Sequence, residues 1–190
     1  MKPYLSITLL AAICSLAEPV TAGEIESTRV EANNVDNRAS GMSTRARQSI
    51  SVAEGNGRIS RSNIAAEGAR NEASGAFSSA TQEIGVARGQ GRIENSTVRA
   101  TQATNTASGM SSTATQRIGF AEDNARVQNS TVIANRASNR ASGLGSGATQ
   151  EIGGARGNAV LGNTTVMAEG ATNAATGAFG RAKQRIGVRE

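Results

Sequence analysis

The hydrophobic and polar positions of this chain repeat with a period of 34 residues, without insertion or deletion. One copy, residues 93–126, reads IENSTVRATQATNTASGMSSTATQRIGFAEDNAR. Positions that hardly change between copies alternate with variable ones over residues 98–100, 103–107 and 114–118. Spacing by two is typical of β-strands that keep one face constant. The pattern therefore predicts several short strands in each copy.

The alternation is interrupted between Ala100 and Ala103, at Ser108-Gly109 and at Gly119. Glycine and small polar residues favour tight corners, so these interruptions predict corners between strands. Turns are also predicted at the Asn-Ser/Thr-Thr sequences that begin at Asn95, Asn129 and Asn163. Together these features predict an all-β fold: a β-solenoid of stacked, cross-β-like β-arches, with one repeat per turn. A helical hairpin repeat is disfavoured because invariant glycine and asparagine would lie inside its helices.

The predicted organisation is a signal peptide over residues 1–22 and a repeat domain over residues 23–190. Lys2, an apolar run and the small-residue pattern Val20-Thr21-Ala22 predict export, without a membrane span. Cys14 follows the bulky Ile13, which argues against a lipid anchor. The predicted location is secreted, either extracellular or at the cell surface. The five repeats cover residues 25–58, 59–92, 93–126, 127–160 and 161–190.

Positions shared by all five repeats form columns if the repeats stack, with equivalent residues about 4.8 Å apart. Asn and Gln columns are expected to form inward side-chain amide ladders beside a dry isoleucine column. A glycine column is expected at a turn. The ladder positions are Asn37, Asn71, Asn105, Asn139, Asn173, Gln48, Gln82, Gln116, Gln150, Gln184, Ile50, Ile84, Ile118, Ile152 and Ile186. The turn positions are Gly41, Gly75, Gly109, Gly143 and Gly177.

Two charged columns support the same stacking. The 30th position of the repeat reads Glu54, Arg88, Glu122, Arg156, Glu190, and the 25th reads Ser49, Glu83, Arg117, Glu151, Arg185. In a stack each charge then has opposite neighbours above and below. The glutamates are expected to face outward in variable columns, where each exposed pair adds little stability.

The composition argues against an enzyme. The chain has no histidine, and its single cysteine and both prolines fall within residues 1–22. Most nucleophile–base pairs and metal sites therefore lack their side chains in the repeats. We predict that the protein is not an enzyme and binds no cofactor or metal. The lack of proline in the repeats suits continuous backbone ladders.

Imperfect Gln/Asn/Gly/Ala repeats run through the chain, with the orders Ser112-x-x-x-Gln116-x-x-Gly119-x-Ala121 and Gly157-Asn158-Ala159. In these features the chain resembles the curlin subunits of bacterial curli, and its repeat composition is loosely similar to that of the Fap fibril subunits. Its repeat is longer than a curlin repeat, and the second curlin Gln is not in place. The resemblance implies a functional amyloid of the biofilm matrix or of cell adhesion. It also implies a nucleator and a dedicated outer-membrane exporter as partners.

Neither the first nor the last repeat has an atypical capping sequence, which predicts open strand edges. Such edges favour end-to-end stacking of copies into a homopolymer, because a head-to-tail contact of this kind does not close. The alternative is a monomeric β-solenoid that acts as a binding module. In that case the charged last turn, with Arg185, Arg189 and Glu190, serves as a cap.

Two surface columns suggest ligands for a monomeric module. Arg58, Arg92 and Arg126 share one column, which suits acidic polysaccharide or extracellular DNA. Ice binding is suggested by a threonine column, although cations interrupt it at both ends. The members of that column are Arg47, Thr81, Thr115, Thr149 and Lys183.

Overall fold

The computed structural model describes residues 24–54, 56–158 and 160–187, so the predicted signal peptide lies outside the described residues. The described residues contain twenty β-strands and no helix. The strands form four parallel sheets of five strands each. The predicted all-β solenoid is confirmed.

Each turn contributes one strand to every sheet. The first turn contains β1 (Glu24–Glu26), β2 (Arg29–Asn33), β3 (Asp36–Ser40) and β4 (Ser43–Ala53). The second contains β5 (Arg58–Ser60), β6 (Asn63–Glu67), β7 (Arg70–Ser74) and β8 (Phe77–Ala87). The third contains β9 (Arg92–Glu94), β10 (Thr97–Thr101), β11 (Thr104–Ser108) and β12 (Ser111–Ala121). The fourth contains β13 (Arg126–Gln128), β14 (Thr131–Asn135), β15 (Ser138–Ser142) and β16 (Gly147–Ile152). The fifth contains β17 (Val160–Gly162), β18 (Thr165–Glu169), β19 (Thr172–Thr176) and β20 (Ala182–Ile186).

The strand register equals the sequence period. Asn105 pairs with Asn139 between β11 and β15, and Gln116 pairs with Gln150 between β12 and β16. The same shift of one repeat holds in all four sheets, from β1–β5 to β16–β20. Equivalent residues of successive repeats therefore stack directly, and one repeat makes one turn, as predicted.

Residues with positive φ make the corners of each turn. In the third turn these are Asn95 (φ 50°), Gln102 (53°), Gly109 (148°), Gly119 (60°) and Asp123 (69°). Glycine and short polar residues tolerate this backbone region better than most side chains. The first four of these corners coincide with the interruptions of the alternating pattern and with the Asn-Ser-Thr turn, whereas the corner at Asp123 was not predicted.

The interior is divided into two apolar compartments. The larger holds columns of Ile, Val and Ala, including Ile118 and Ala103. The smaller contains only alanine, including Ala107 and Ala114. Because alanine is short, β11 and β12 and their equivalents approach each other closely there. Asn105 lies at the boundary of the two compartments, because it stands between Ala103 of the larger and Ala107 of the smaller.

Candidate functional site

The asparagine column forms a continuous amide ladder through the described turns. The Nδ2–Oδ1 distances are 2.7 Å for Asn37 to Asn71, and 2.8 Å for Asn71 to Asn105, Asn105 to Asn139 and Asn139 to Asn173. Asn105 Nδ2 also donates to the backbone carbonyls of Ala80 and Thr115, at 3.1 and 2.9 Å. The buried amide of Asn105 thus finds its hydrogen-bond acceptors on the next turn and on the backbones of β8 and β12.

The glutamine column forms a second ladder with the opposite polarity. Each Gln Nε2 donates to the preceding turn: Gln82 to Gln48 at 2.7 Å, Gln116 to Gln82 at 2.6 Å and Gln150 to Gln116 at 2.6 Å. Gln184 Nε2 donates to the Ala171 carbonyl, as Gln150 Nε2 does to the Ala137 carbonyl, but it makes no hydrogen bond to Gln150. Gln150 Oε1 is consequently buried without a donor in the described part of the chain. The two neighbouring ladders point their amide dipoles in opposite directions, which partly cancels them.

The glycine column brings the backbones of successive turns into contact. Gly75, Gly109, Gly143 and Gly177 all have φ between 138° and 150°. A Cβ built on Gly109 would lie 1.5 Å from the carbonyl oxygen of Gly75. Only glycine fits this backbone region and this spacing. The isoleucine column is fully buried at Ile84, Ile118 and Ile152 but 47 % exposed at Ile186, in the last turn.

The two charged columns lie side by side and form one network. The Arg117 guanidinium lies 3.3 Å from Glu83, 3.1 Å from Glu151 and 3.3 Å from Glu122. Arg88 contacts Glu122 at 3.1 Å and also pairs with Glu83. In the second, third and fourth turns, neighbours in the two columns carry opposite charges within a turn as well as between turns. We call this set of residues in the 25th and 30th positions the charge network.

The expectation that the glutamates face outward and exposed is wrong for Glu83 and Glu151, which are 0 % and 1 % exposed. The left-handed glycine at the 27th position bends the chain, and the next residue packs outside both apolar compartments. In the third turn this residue is Phe120, which is 1 % exposed. Arg117 and Arg156 lie 5.6 and 5.5 Å from its ring centroid. The glutamates are therefore covered by arginines that an aromatic ring holds in place.

Arg117→Met should test this network. The substitution keeps the apolar stem but leaves the buried Glu83 and Glu151 short of a positive partner. Arg88 and Arg156 still pair with these glutamates, so we expect a loss of about 2 kcal/mol in the free energy of unfolding, the scale of a lost hydrogen bond to a charged group. Urea unfolding measures it, with the exposed Arg99→Met as control. Equal stability of the two variants would contradict a structural role for the network.

Exposed ion pairs occur elsewhere on the sheets and contribute less. Arg70 donates to Glu72 at 2.8 Å on the outside of β7. That hydrogen bond, with the charge of the carboxylate, raises the pKa of the Arg70 guanidinium above its ordinary value. Solvent screens this pair, so its effect on stability is small.

The chain has no match among the family models, curated proteins or solved structures with which it was compared. The described residues include no group of three or more His, Cys, Asp or Glu side chains placed to hold a metal ion. They also include no helix of the length and apolarity that crossing a membrane requires.

The arginine column is three residues long. Arg58, Arg92 and Arg126 are in register between β5, β9 and β13. In the last turn the equivalent position is Val160, where the row of arginines ends. Arg92 is exposed, whereas Arg58 and Arg126 are half-buried, and Arg58 lies 3.5 Å from Glu94. The structure thus stacks three arginines in one column, one of them beside a carboxylate.

The threonine column is also three residues long. Thr81, Thr115 and Thr149 stack on the outer face of β8, β12 and β16, and all three are half-buried. Arg47 precedes them in the first turn and Lys183 follows them in the last. A flat threonine array therefore extends over the middle turns only.

The strands of the two end turns have one open edge each. In every sheet the outermost strands, β1–β4 and β17–β20, pair on one side only in the described structure. Val132 and Ala134 are fully buried in the fourth turn. Their equivalents in the last turn, Val166 and Ala168, are only partly buried. The ends thus combine unpaired backbone groups with accessible apolar side chains.

Proposed function

We propose that this protein is a secreted structural subunit that self-assembles end to end into extracellular, amyloid-like fibres of a bacterial biofilm matrix or of surface adhesion. The observation that carries the proposal is the pair of open edges, with four strands at each end. Parallel strands with unpaired N–H and C=O groups are templates for pairing with another chain. Export is inferred from residues 1–22 of the sequence.

The amide ladders give the two ends complementary polarity. Asn173 Nδ2 contacts the carbonyls of Ala148 and Lys183 but has no further Asn to donate to. At the opposite end, Asn37 donates to the second turn and presents its oxygen to the open side. A second copy stacked head to tail would let Asn173 donate to Asn37. Gln48 of the next copy would face Gln184 across the same junction, although Gln184 is not bonded to Gln150 within the subunit.

The apolar columns match in the same way. Val30 and Ala32 at one end, and Val166 and Ala168 at the other, are only partly buried against the core. Stacking would place Val on Val and Ala on Ala, as between the fourth and fifth turns within the chain. Burying apolar surface contributes about 25 cal/mol per Å², in addition to the new backbone hydrogen bonds. Because each copy still presents one free end, growth continues as a filament.

Ala168→Pro should prevent growth without unfolding the subunit. Thr165 N donates inward to Ser130 O at 2.9 Å, and N–H groups alternate sides along the strand. The N–H of Ala168 therefore points to the open edge, where proline removes a donor that the subunit itself does not use. We expect the variant to keep strand-type circular dichroism and to form no filaments in electron micrographs.

Ala134→Pro is the matched control, in the same column but inside the stack. There the lost N–H belongs to an internal ladder, so this variant should unfold. Filaments of Ala168→Pro that grow at the wild-type rate would contradict end-to-end assembly through β18.

A monomeric binding module is the alternative function, favoured by the row of Arg58, Arg92 and Arg126. Guanidinium groups at strand spacing suit the phosphate or carboxylate groups of an extended polyanion. Light scattering distinguishes the two proposals, because the module remains monomeric at all concentrations. In that outcome the arginine row becomes the leading candidate surface.

A further inference from the structure

Two outward columns of the solenoid are uncharged in its middle turns and cationic in its end turns. They are the 21st and 23rd positions of the repeat, on β4, β8, β12 and β16 and, in the last turn, directly before and within β20. In the middle turns the residues are small and uncharged: Ser79, Thr113, Gly147, Thr81, Thr115 and Thr149. In the end turns they are cations: Arg45 and Arg47 in the first, Arg181 and Lys183 in the last. The charges are thus confined to the turns that carry the open edges.

All four end-turn cations are exposed. Arg47 lies 3.1 Å from Glu83 and 3.8 Å from Glu54, both in the charge network. Among the described residues no carboxylate pairs with Arg45, Arg181 or Lys183. The end turns therefore hold positive charge that the subunit itself does not neutralise.

Head-to-tail stacking would bring these charges together. The register that relates successive turns places Arg181 of one copy beside Arg45 of the next, and Lys183 beside Arg47. Stacked positions are about 4.8 Å apart, and alternate residues of one strand about 7 Å apart. Like charges directly opposite each other on neighbouring strands are destabilising. Within the chain this conflict does not arise, because the middle turns are uncharged in both columns.

We propose that an oxyanion, a phosphate or sulfate group, binds among Arg45, Arg47, Arg181 and Lys183 at the junction and controls assembly. This inference rests on the proposed end-to-end stacking. Guanidinium groups bind such oxyanions through paired hydrogen bonds, and a group with several oxygens can reach both copies. Chloride only screens the four charges. Neither end alone holds the full set, so the site exists only where two copies meet.

The test compares filament growth of the mature chain in chloride and in low-millimolar inorganic phosphate, both at an ionic strength of about 0.1 M. The test variant is Arg181→Ser with Lys183→Thr, which gives the last turn the residues of the middle turns. The control variant, Arg99→Ala with Arg140→Ala, removes the same charge from exposed positions in the third and fourth turns. A further sample contains heparin in place of phosphate, to separate polymer-borne sulfate from the free ion.

We expect phosphate to accelerate wild-type growth about tenfold or more, the scale of electrostatic effects on association. The control variant should keep this response. The test variant should grow rapidly in chloride and gain nothing from phosphate. Acceleration by heparin alone would assign the group to a polymer.

Equal wild-type growth in chloride, phosphate and heparin would overturn the oxyanion site and leave end-to-end assembly intact. A phosphate response retained by the test variant would also overturn the site. Absence of filaments in every sample, including the test variant, would overturn both proposals. General effects of phosphate on apolar burial act on all variants alike, so they cannot imitate the expected result.

Discussion

Gly109→Ala is expected to prevent folding of the solenoid. The Cβ of the new residue would lie 1.5 Å from the carbonyl oxygen of Gly75, well inside any van der Waals contact. The atom it meets is backbone, held by the ladders of two turns, so no flexible side chain can move aside. Gly109 also has φ of 148°, which side chains disfavour. We expect a loss of more than about 4 kcal/mol in the free energy of unfolding.

Gly147→Ala is the matched control, since no atom lies within 4 Å of a Cβ built there. Gly147 lies in β16, at a middle-turn position occupied by Ser79 and Thr113 in other repeats. Circular dichroism and urea unfolding of both variants measure the difference. A folded Gly109→Ala variant as stable as Gly147→Ala would show that the turns do not contact each other at this corner.

Asn105→Asp is expected to have the second-largest effect. Asn105 Nδ2 donates to Asn139 Oδ1, Ala80 O and Thr115 O, at 2.8, 3.1 and 2.9 Å. The aspartate would direct a carboxylate oxygen at these three acceptors, without a donor and without solvent. Leaving a buried charged group unpaired costs several kcal/mol, so we expect about 3 kcal/mol or more.

The loss should depend on pH. Burial and the facing oxygens would raise the pKa of the new carboxyl in the folded state above about 3.9, its unfolded value. The folded state then binds more protons than the unfolded state, so stability falls as pH rises above that value. Asn158→Asp is the control, because Asn158 makes a similar turn-to-turn contact to Asn124 at an exposed site. Equal, pH-independent unfolding of both variants would argue against a buried Asn ladder.

The fold could be predicted from the sequence because, in an in-register stack, the sequence period equals one turn of the solenoid. Every residue meets its own equivalent in the next turn, so columns such as Ala100 or Ile118 reveal inward positions without any knowledge of distant contacts. Corners were also predictable, since Gly109 and Gly119 interrupt a visible alternation. The period, the strand spacing and the corners together determine the turn.

The charge network could not be predicted in full for a geometric reason. Because Glu83 lies between the inward Gln82 and Ile84, the alternation assigns its side chain to the outer face of the strand. A side chain on the outer face is ordinarily expected to be exposed to solvent. The left-handed residue at the 27th position changes which face the next residue occupies, and arginines that lie over Phe120 cover the glutamates. The apolar column Val52, Val86, Phe120 directly after that position was the available signal.

The direction of the amide ladders was also beyond the sequence. Asn and Gln columns indicate stacked amides, but the direction of donation depends on the backbone carbonyls that receive the second hydrogen. For Asn105 these belong to Ala80 and Thr115, and for Gln116 to Ala103. Such contacts join strands that the repeat alone does not place next to each other.

The most direct test of end-to-end assembly is fibre X-ray diffraction of purified residues 23–190, with negative-stain microscopy of the same sample. Filaments with a meridional reflection at about 4.8 Å are expected, because the strand spacing would continue unbroken across each junction. Soluble monomers with strand-type circular dichroism, and no filaments at any concentration or in the presence of phosphate, would contradict assembly while leaving the solenoid intact.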